Sequence, residues 1–481
     1  MIAAIRLPEV GNFMTLNIVD IEFFKRRNKV RNYLHFDQKI SNKKLFEYVT
    51  DKEFVSRHSF FPTISYSLKE EKISKKNKKN ILVTANVGNS KYKYIIDKNS
   101  YKEKLRLINF PSHIDGNIYA YYSKILELYY SNYLLENGLE SNVIAFRKIT
   151  EIDALGKKRS LCNIHFARNV FDFIKEKRNC FVLCLDISGF FDNLNHEILK
   201  ENWVKLLQEK KLPKDHYQVY KSLTKYSYVN KYDLYKALNL SLNSRRLHDD
   251  IDRLCDIKTF REKIRGANLI KKNLKLKGIP QGSPISGMLS NLYMMDFDKE
   301  LSKLVKEMNG QYFRYCDDMI FIIDEEFEDR LSNLISERIS RIKLKINDKK
   351  TQKITFINGK VKINNPPTFN YPNKLQYLGV LFDGDSVFLR ETGISRYHYK
   401  LRKAIRMRSK HYSNLKLNNK HNNQEIYMKT LYSRFTYIGK RNYVSYAYRV
   451  ANVFDSKNIK SQVKDHFSTF NQYLEKKMDR I

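Results

Sequence analysis

Hydrophobic and polar positions alternate with two distinct periods along this chain, and the places where the period changes outline its elements. The run Phe181-Val182-Leu183-Cys184-Leu185-Asp186-Ile187 is short and almost wholly apolar, which predicts a strand buried on both faces with an aspartate at its end. Residues 312–323 hold two apolar strand-like runs interrupted by Asp317-Asp318, which predicts a hairpin carrying carboxylates at its turn. Residues 117–137 place Tyr, Leu and Ile at helical spacing and read as a buried helix whose tyrosines serve packing. Two further strand-like runs, Ile81 to Val87 and Lys91 to Ile96, follow an exposed basic loop at 72–80 and suggest a hairpin with a basic tip. Helical patterns mixed with basic segments occupy 197–277 and are expected to cover the strand layer. A basic, aromatic-bearing helical stretch runs from 391 to 481.

Composition changes this picture in one respect. Lys and Arg number 89 against 52 Asp and Glu, a formal charge of +37, so a polyanionic partner is expected. With 42% hydrophobic and 13% aromatic residues the chain has material for a sizeable core, which excludes wholesale disorder. Lys, Asn, Ile and Tyr are all abundant, however, and base composition of the gene can supply lysines, so charge alone does not define function. No apolar run reaches the roughly 18 residues of a membrane span, and the first residues lack the pattern of a secretory signal. A soluble, cytoplasmic protein without membrane contact is therefore expected. The five cysteines are scattered and odd in number, which predicts free thiols; Cys180 and Cys184 have no partner pair at zinc spacing and read as core residues.

The chemistry is concentrated in acids that interrupt apolar strands. Adjacent carboxylates repel and raise each other's proton affinity unless a cation lies between them. Asp317 and Asp318, joined by Asp186 from another buried strand, would make an all-oxygen site suited to Mg²⁺, with Mn²⁺ as a substitute. Two such ions about 4 Å apart can activate an attacking hydroxyl and stabilise a leaving pyrophosphate. An ordinary Asp-Asp turn is the bland alternative for this hairpin taken alone.

At this point the residues resemble the reverse transcriptases. Asp186-Ile187-Ser188-Gly189-Phe190-Phe191-Asp192-Asn193-Leu194-Asn195-His196 is similar to the first palm motif, Gly278-Ile279-Pro280-Gln281-Gly282-Ser283-Pro284-Ile285-Ser286 to the second, and Tyr315-Cys316-Asp317-Asp318 to the metal-binding third. Leu344-Lys345-Ile346-Asn347-Asp348-Lys349-Lys350-Thr351 and Leu375-Gln376-Tyr377-Leu378-Gly379 resemble the fourth motif and the primer grip. The resemblance implies an α+β right-hand polymerase: fingers over 1–180, an antiparallel-sheet palm over 181–390 with a helical insertion at about 197–277, and a helical thumb-like unit over 391–481. It implies Asp186, Asp317 and Asp318 at the metal site, joined by the backbone carbonyl of Ile187. Phe191 would stand against the sugar 2′ position and favour deoxynucleotides, with a packed core Phe as the alternative. Gln281 and Gly282 would approach the nucleotide and template, and residues 143–148 resemble the fingers strand whose Arg147 would contact the triphosphate, with Lys104 and Arg106 as further contributors from an earlier strand. Lys350, or its neighbour Lys349, would protonate the pyrophosphate. His196 and Asp192 are read as helix-start and packing residues.

Neither a ribonuclease H domain nor a Cys/His endonuclease pattern follows Gly379. The segments 145–148, 162–167 and 442–449 are most similar to bacterial defence-associated reverse transcriptases of the abortive-infection and unknown-group lineages. That resemblance implies antiphage immunity through DNA synthesis from dNTPs on an RNA template, expected to be a noncoding RNA, with homo-oligomers among the assemblies such relatives form. The alternatives are a retron-type or group II-like enzyme, an untemplated or protein-primed DNA polymerase, an RNA-dependent RNA polymerase, and a catalytically silent RNA-binding scaffold.

Overall fold

The computed structural model describes residues 20–30, 33–73, 81–87, 90–95, 101–152, 156–242, 251–362, 373–417 and 428–478. They form two compact units. The first comprises the described parts of Met1–Glu140, Gly189–Phe297 and Ser340–Leu344, the second those of Ser141–Ser188, Asp298–Ile339 and Lys345–Ile481.

In the first unit, Thr63–Ile73 pairs antiparallel with Tyr101–Phe110 and parallel with Ser227–Asn230, which in turn pairs with Lys271–Lys272. Ile64 and Val229, both fully buried, pack with Leu234, Tyr235, Phe260 and Ile264 from the following helices. The two strands inside 197–277 depart from the helical expectation. Each is at most four residues long, too short for a period of two to emerge from the surrounding helical pattern. Strand Thr63–Ile73 also absorbs residues 72 and 73 of the expected loop, while 74–80 lie outside the described residues. Ile81–Val87 and Ser90–Ile95 do pair as an antiparallel hairpin, whose tip at 88–89 is likewise outside them.

Ser112 caps the long helix His113–Glu136, its hydroxyl accepting from the Asp115 amide at 3.2 Å, and Tyr119, Tyr122 and Tyr130 on that helix are buried. Two buried histidines nearby are held neutral. Burial lowers His35 to about 3 and His216 to about 4. In each, Nδ1 accepts a hydrogen bond, from the Phe36 amide at 2.9 Å and from Trp203 Nε1 at 3.2 Å, so a charged ring would lose that bond. Their stabilisation is present above the unfolded-state value of about 6.5 and is lost as pH falls toward 4 and then 3, at up to about 1.4 kcal/mol per pH unit for each ring. The thermal midpoint should therefore fall below pH 6.5, and His216→Gln, which keeps an acceptor but does not titrate, should flatten the slope. An unchanged slope in that variant would contradict the assignment.

The second unit is built on a five-stranded antiparallel sheet in the order Gln311–Tyr315, Asp318–Ile323, Cys180–Asp186, Gln352–Ile357, Lys360–Val361. Every residue of the central strand Cys180–Asp186 is buried, as its apolar run requires. One of its faces, Cys180, Val182 and Cys184, packs in a core with Val170 and Phe171 of helix Asn163–Lys177. The same core takes in Phe382, Leu389 and Val450 from the three-stranded meander Leu375–Leu389 and the helix Tyr443–Val453. Each fully buried aliphatic there stabilises by roughly 1.5–3 kcal/mol. Burial pushes the Cys180 thiol up to about 12 and the Cys184 thiol higher still, so both are inert core groups. The basic C-terminal stretch is helical, opening with Glu391–Leu417, whose Tyr397, Leu401 and Ile405 pack on Leu431, Phe435, Val444 and Phe470. Among the described residues no helix is long and apolar enough to cross a membrane.

Candidate active site

The sheet register brings the acids together. Asp186, last residue of the central strand, stands directly opposite Asp318, first residue of the adjacent strand. In the hairpin Tyr315 pairs with Asp318, so Cys316 and Asp317 form a two-residue turn, made possible by Cys316 in the left-handed region at φ +62°. Ile187 then lies along that turn, its amide donating to the Asp317 carbonyl at 3.2 Å.

A third segment closes on Asp186 from its other side. Ile187 bridges Ile346, and the Ser188 amide donates to the Lys345 carbonyl at 2.8 Å. The Asn347 amide donates to the Asp186 carbonyl at 2.8 Å while its side chain donates to Oδ2 at 3.1 Å. A tight turn, with the Lys350 amide on the Asn347 carbonyl at 2.8 Å, then aims Lys350 inward. Lys350 Nζ reaches Asp186 Oδ1 at 2.5 Å, whereas Lys349 is exposed. The ambiguity between these two lysines is a matter of turn geometry, which sequence does not display.

The electrostatics of this cluster are unbalanced. Asp318 is pushed up to about 7, first by burial and then by the charges of Asp317 and Asp186, against opposing contributions from Lys350 and Arg390. Among the described residues no three acid, histidine or cysteine side chains close into a coordination sphere, and Asp186 is instead held by Lys350 and Asn347. The donor set nevertheless fits a hard divalent cation: the carboxyl groups of Asp186, Asp317 and Asp318 at neighbouring strand ends, with the proton affinity of Asp318 raised by burial and then by repulsion from the other two.

In the other unit the Gly278–Ser286 segment is folded against the Phe190–Asn193 turn. The Gly278 and Ile279 amides donate to the carbonyls of Leu194 and Phe191 at 2.8 and 2.9 Å, and the Gln281 carbonyl accepts from the Asn109 amide at 2.7 Å. Gly282 is at φ +105°, and a Cβ there would stand 2.7 Å from the Asn109 carbonyl oxygen. Phe191 is half-buried beside Phe190, ring centroids 5.7 Å apart. His196 is buried with its Nε2 on the Gly278 carbonyl at 2.8 Å, and Asp192 is exposed. Arg106 is exposed on strand Tyr101–Phe110, which also carries Lys104.

Residues 143–148, compared above with a strand, instead make a single bridge at Val143 followed by a turn, because Phe146 adopts φ +58° and breaks the extended run. Arg147 Nη1 donates to the Val143 carbonyl at 2.7 Å within that turn. The segment Leu375–Gly379 is fastened to the five-stranded sheet by Gln352, whose side-chain amide exchanges hydrogen bonds of 2.9 and 3.0 Å with the Gln376 backbone. Two residues escaped sequence reasoning. Asn347 lay within a recognised motif without a role, and Arg390 had no local signal at all. Arg390 Nε is buried with no acceptor, and its charge acts on Asp318.

A family model described as reverse transcriptase (RNA-dependent DNA polymerase) matches residues 96–382, more than half of the chain. The chain belongs to the reverse transcriptase family. The α+β architecture of this reverse transcriptase, with its antiparallel sheet and C-terminal helices, is that of a right-hand polymerase. No curated protein sequence matches it. Similar solved structures include apo telomerase from Candida tropicalis truncated from its C-terminal domain, at 14% identity and TM-score 0.39, covering 60% of this chain and 53% of that one. Telomerase from Candida albicans in complex with a fragment of telomeric RNA aligns at 12% identity and TM-score 0.36, covering 95% and 73%. The BmCPV RNA-dependent RNA polymerase at elongation state aligns at 10% identity and TM-score 0.39, covering 80% and 29%. This reverse transcriptase thus spans about half the length of the truncated telomerase and under a third of the viral polymerase.

Proposed function

We propose that the protein is an RNA-directed DNA polymerase that adds dNTPs to a 3′ or protein hydroxyl. The observation that carries this reading is the register that sets Asp186 opposite Asp318 beside the Asp317 turn, three carboxyl groups of which Asp186 is bonded to Lys350. Asp186, Asp317 and the Ile187 carbonyl would hold Mg²⁺, with Asp318 at the same site. Bound there, two such ions supply hydroxyl activation and charge neutralisation at the transferring phosphate.

The chain's own residues do the rest. Lys350 carries the proton given to the departing pyrophosphate. Phe191 excludes a ribose 2′ hydroxyl. Arg147 and Arg390 present guanidinium groups suited to phosphate oxygens, Arg390 with a buried donor already lacking a protein acceptor. Gln281 and Gly282 bring backbone close to nucleotide and template because Gly282 has no side chain in the way. Gly282→Ala would place a methyl against the Asn109 carbonyl at a φ that L-residues avoid. It should cost about 1–3 kcal/mol of stability, read from the thermal midpoint, together with most of the incorporation activity. A stable, fully active Gly282→Ala would remove that turn from the site.

The template is proposed to be a noncoding RNA and the setting bacterial antiphage defence, on the resemblance of segments 145–148, 162–167 and 442–449 to the defence-associated lineages. The charge of +37 supports a nucleic-acid partner. Purification from cells followed by extraction of bound nucleic acid tests this. A discrete RNA whose removal by ribonuclease abolishes dNTP incorporation is expected. Incorporation that persists without RNA would replace templated synthesis by untemplated or protein-primed synthesis, and protection against phage that survives loss of catalysis would favour a scaffold.

A further inference from the structure

One ion pair of the second unit is fully buried. Arg314, on the strand leading into the carboxylate turn, and Asp298, on helix Met295–Glu307, are both 0% exposed. The guanidinium grips the carboxylate at two points, Nε on Oδ1 at 2.7 Å and Nη2 on Oδ2 at 2.5 Å. The Tyr312 hydroxyl donates to the same Oδ1 at 2.8 Å. Burial raises the proton affinity of Asp298, while Arg314 and Tyr312 draw it down. Stability alone does not call for such a pair, since an apolar replacement of similar volume is often neutral or stabilising.

The remaining arm of the fork has a different use. Arg314 Nη1 donates to the Cys316 carbonyl at 3.2 Å. Cys316 is the residue whose left-handed backbone makes the turn that presents Asp317, and a non-glycine residue holds that conformation only where its surroundings fix it. The Arg314 backbone meanwhile anchors the segment that carries Arg147. Its amide donates to the Asn142 carbonyl at 2.7 Å and its carbonyl accepts from the Ile144 amide at 3.1 Å.

We infer that Arg314, oriented by Asp298 and Tyr312, is a positioning residue that clamps the Cys316 carbonyl and thereby holds the Asp317 turn in the conformation that binds a divalent cation. Arg314 touches neither nucleotide nor metal and acts through the turn. The inference rests on the polymerase reading of the carboxylate cluster.

The test is a Mn²⁺ titration of the full chain followed by electron paramagnetic resonance, with thermal midpoint and Mg²⁺-dependent incorporation measured alongside. Arg314→Lys keeps a cation facing Asp298 but loses the arm that reaches Cys316. Asp298→Leu/Arg314→Met removes the buried charges while filling their volume. Both should fold, the double variant with a midpoint at or above the wild type, and both should bind Mn²⁺ about 10–100-fold more weakly, as loss of a group supporting a metal ligand does. The KM for dNTP at saturating metal should stay within about two-fold, because the clamp acts on the turn and not on the nucleotide. A folded double variant with wild-type Mn²⁺ affinity would overturn the inference. If both variants unfold, Tyr312→Phe, which removes one donor to Asp298, should weaken Mn²⁺ binding a few-fold at an unchanged midpoint, and unchanged binding would overturn it equally. Wild-type protein that binds Mn²⁺ in a clamp-dependent way yet incorporates no nucleotide would defeat the polymerase reading and leave the positioning role standing.

Discussion

Asp317→Asn should lower nucleotide incorporation by about 10³-fold or more, since its carboxylate belongs to a group of residues that act as a unit. Asp318→Asn should be comparably damaging to turnover while raising the thermal midpoint. The reason is the raised proton affinity of Asp318, pushed up to about 7 by burial and by the charges of Asp317 and Asp186. In metal-free protein at neutral pH a neutral amide at 318 removes repulsion and a desolvation cost together. Asp186→Asn should behave differently. Its two oxygens accept from Lys350 and Asn347, so the amide would leave Lys350 facing a weaker acceptor and would not stabilise. Thermal midpoints and incorporation rates of the three variants, measured without and with Mg²⁺, separate these cases. A stabilising Asp186→Asn, or an Asp318→Asn that loses stability and retains turnover, would mean that the cluster is structural.

Phe191→Ala should relax discrimination between deoxy- and ribonucleotides by roughly 100-fold, the scale on which a pocket rejects one added hydroxyl. The ring is held on both sides of its backbone: it lies in the Phe190–Asn193 turn, and its carbonyl accepts from the Ile279 amide at 2.9 Å. It is half-buried, so it retains an open face. Competing dATP and ATP incorporation by wild type and variant measures the ratio. Truncation of a ring that serves packing alone would instead lower stability and leave the ratio unchanged.

What could be read from the sequence divides along physical lines. The central strand Cys180–Asp186 and the carboxylate hairpin were legible because each is a short apolar run with an acid where chain direction changes, a signal carried by neighbouring residues. The strand Ser227–Asn230 was not, because four residues inside a helical stretch carry no period. Residues 143–148 turn where a strand was expected because the left-handed backbone of Phe146 overrides local propensity. Lys350 separates from Lys349 only through the Asn347 turn, and Arg390 enters only through tertiary folding of the residue that follows the meander. Asp298 looks in sequence like any acid on an amphipathic helix, and only the structure shows it dry and paired with Arg314.

The most direct measurement of the central claim is Mg²⁺-dependent incorporation of each labelled dNTP and rNTP by the purified full chain, with Asp317→Ala/Asp318→Ala as the paired control. Incorporation of deoxynucleotides in preference to ribonucleotides, dependent on RNA and absent from a control that remains folded, is the result predicted. Equal incorporation by wild type and control, or none by a folded wild type supplied with RNA, primer and metal, would contradict the account.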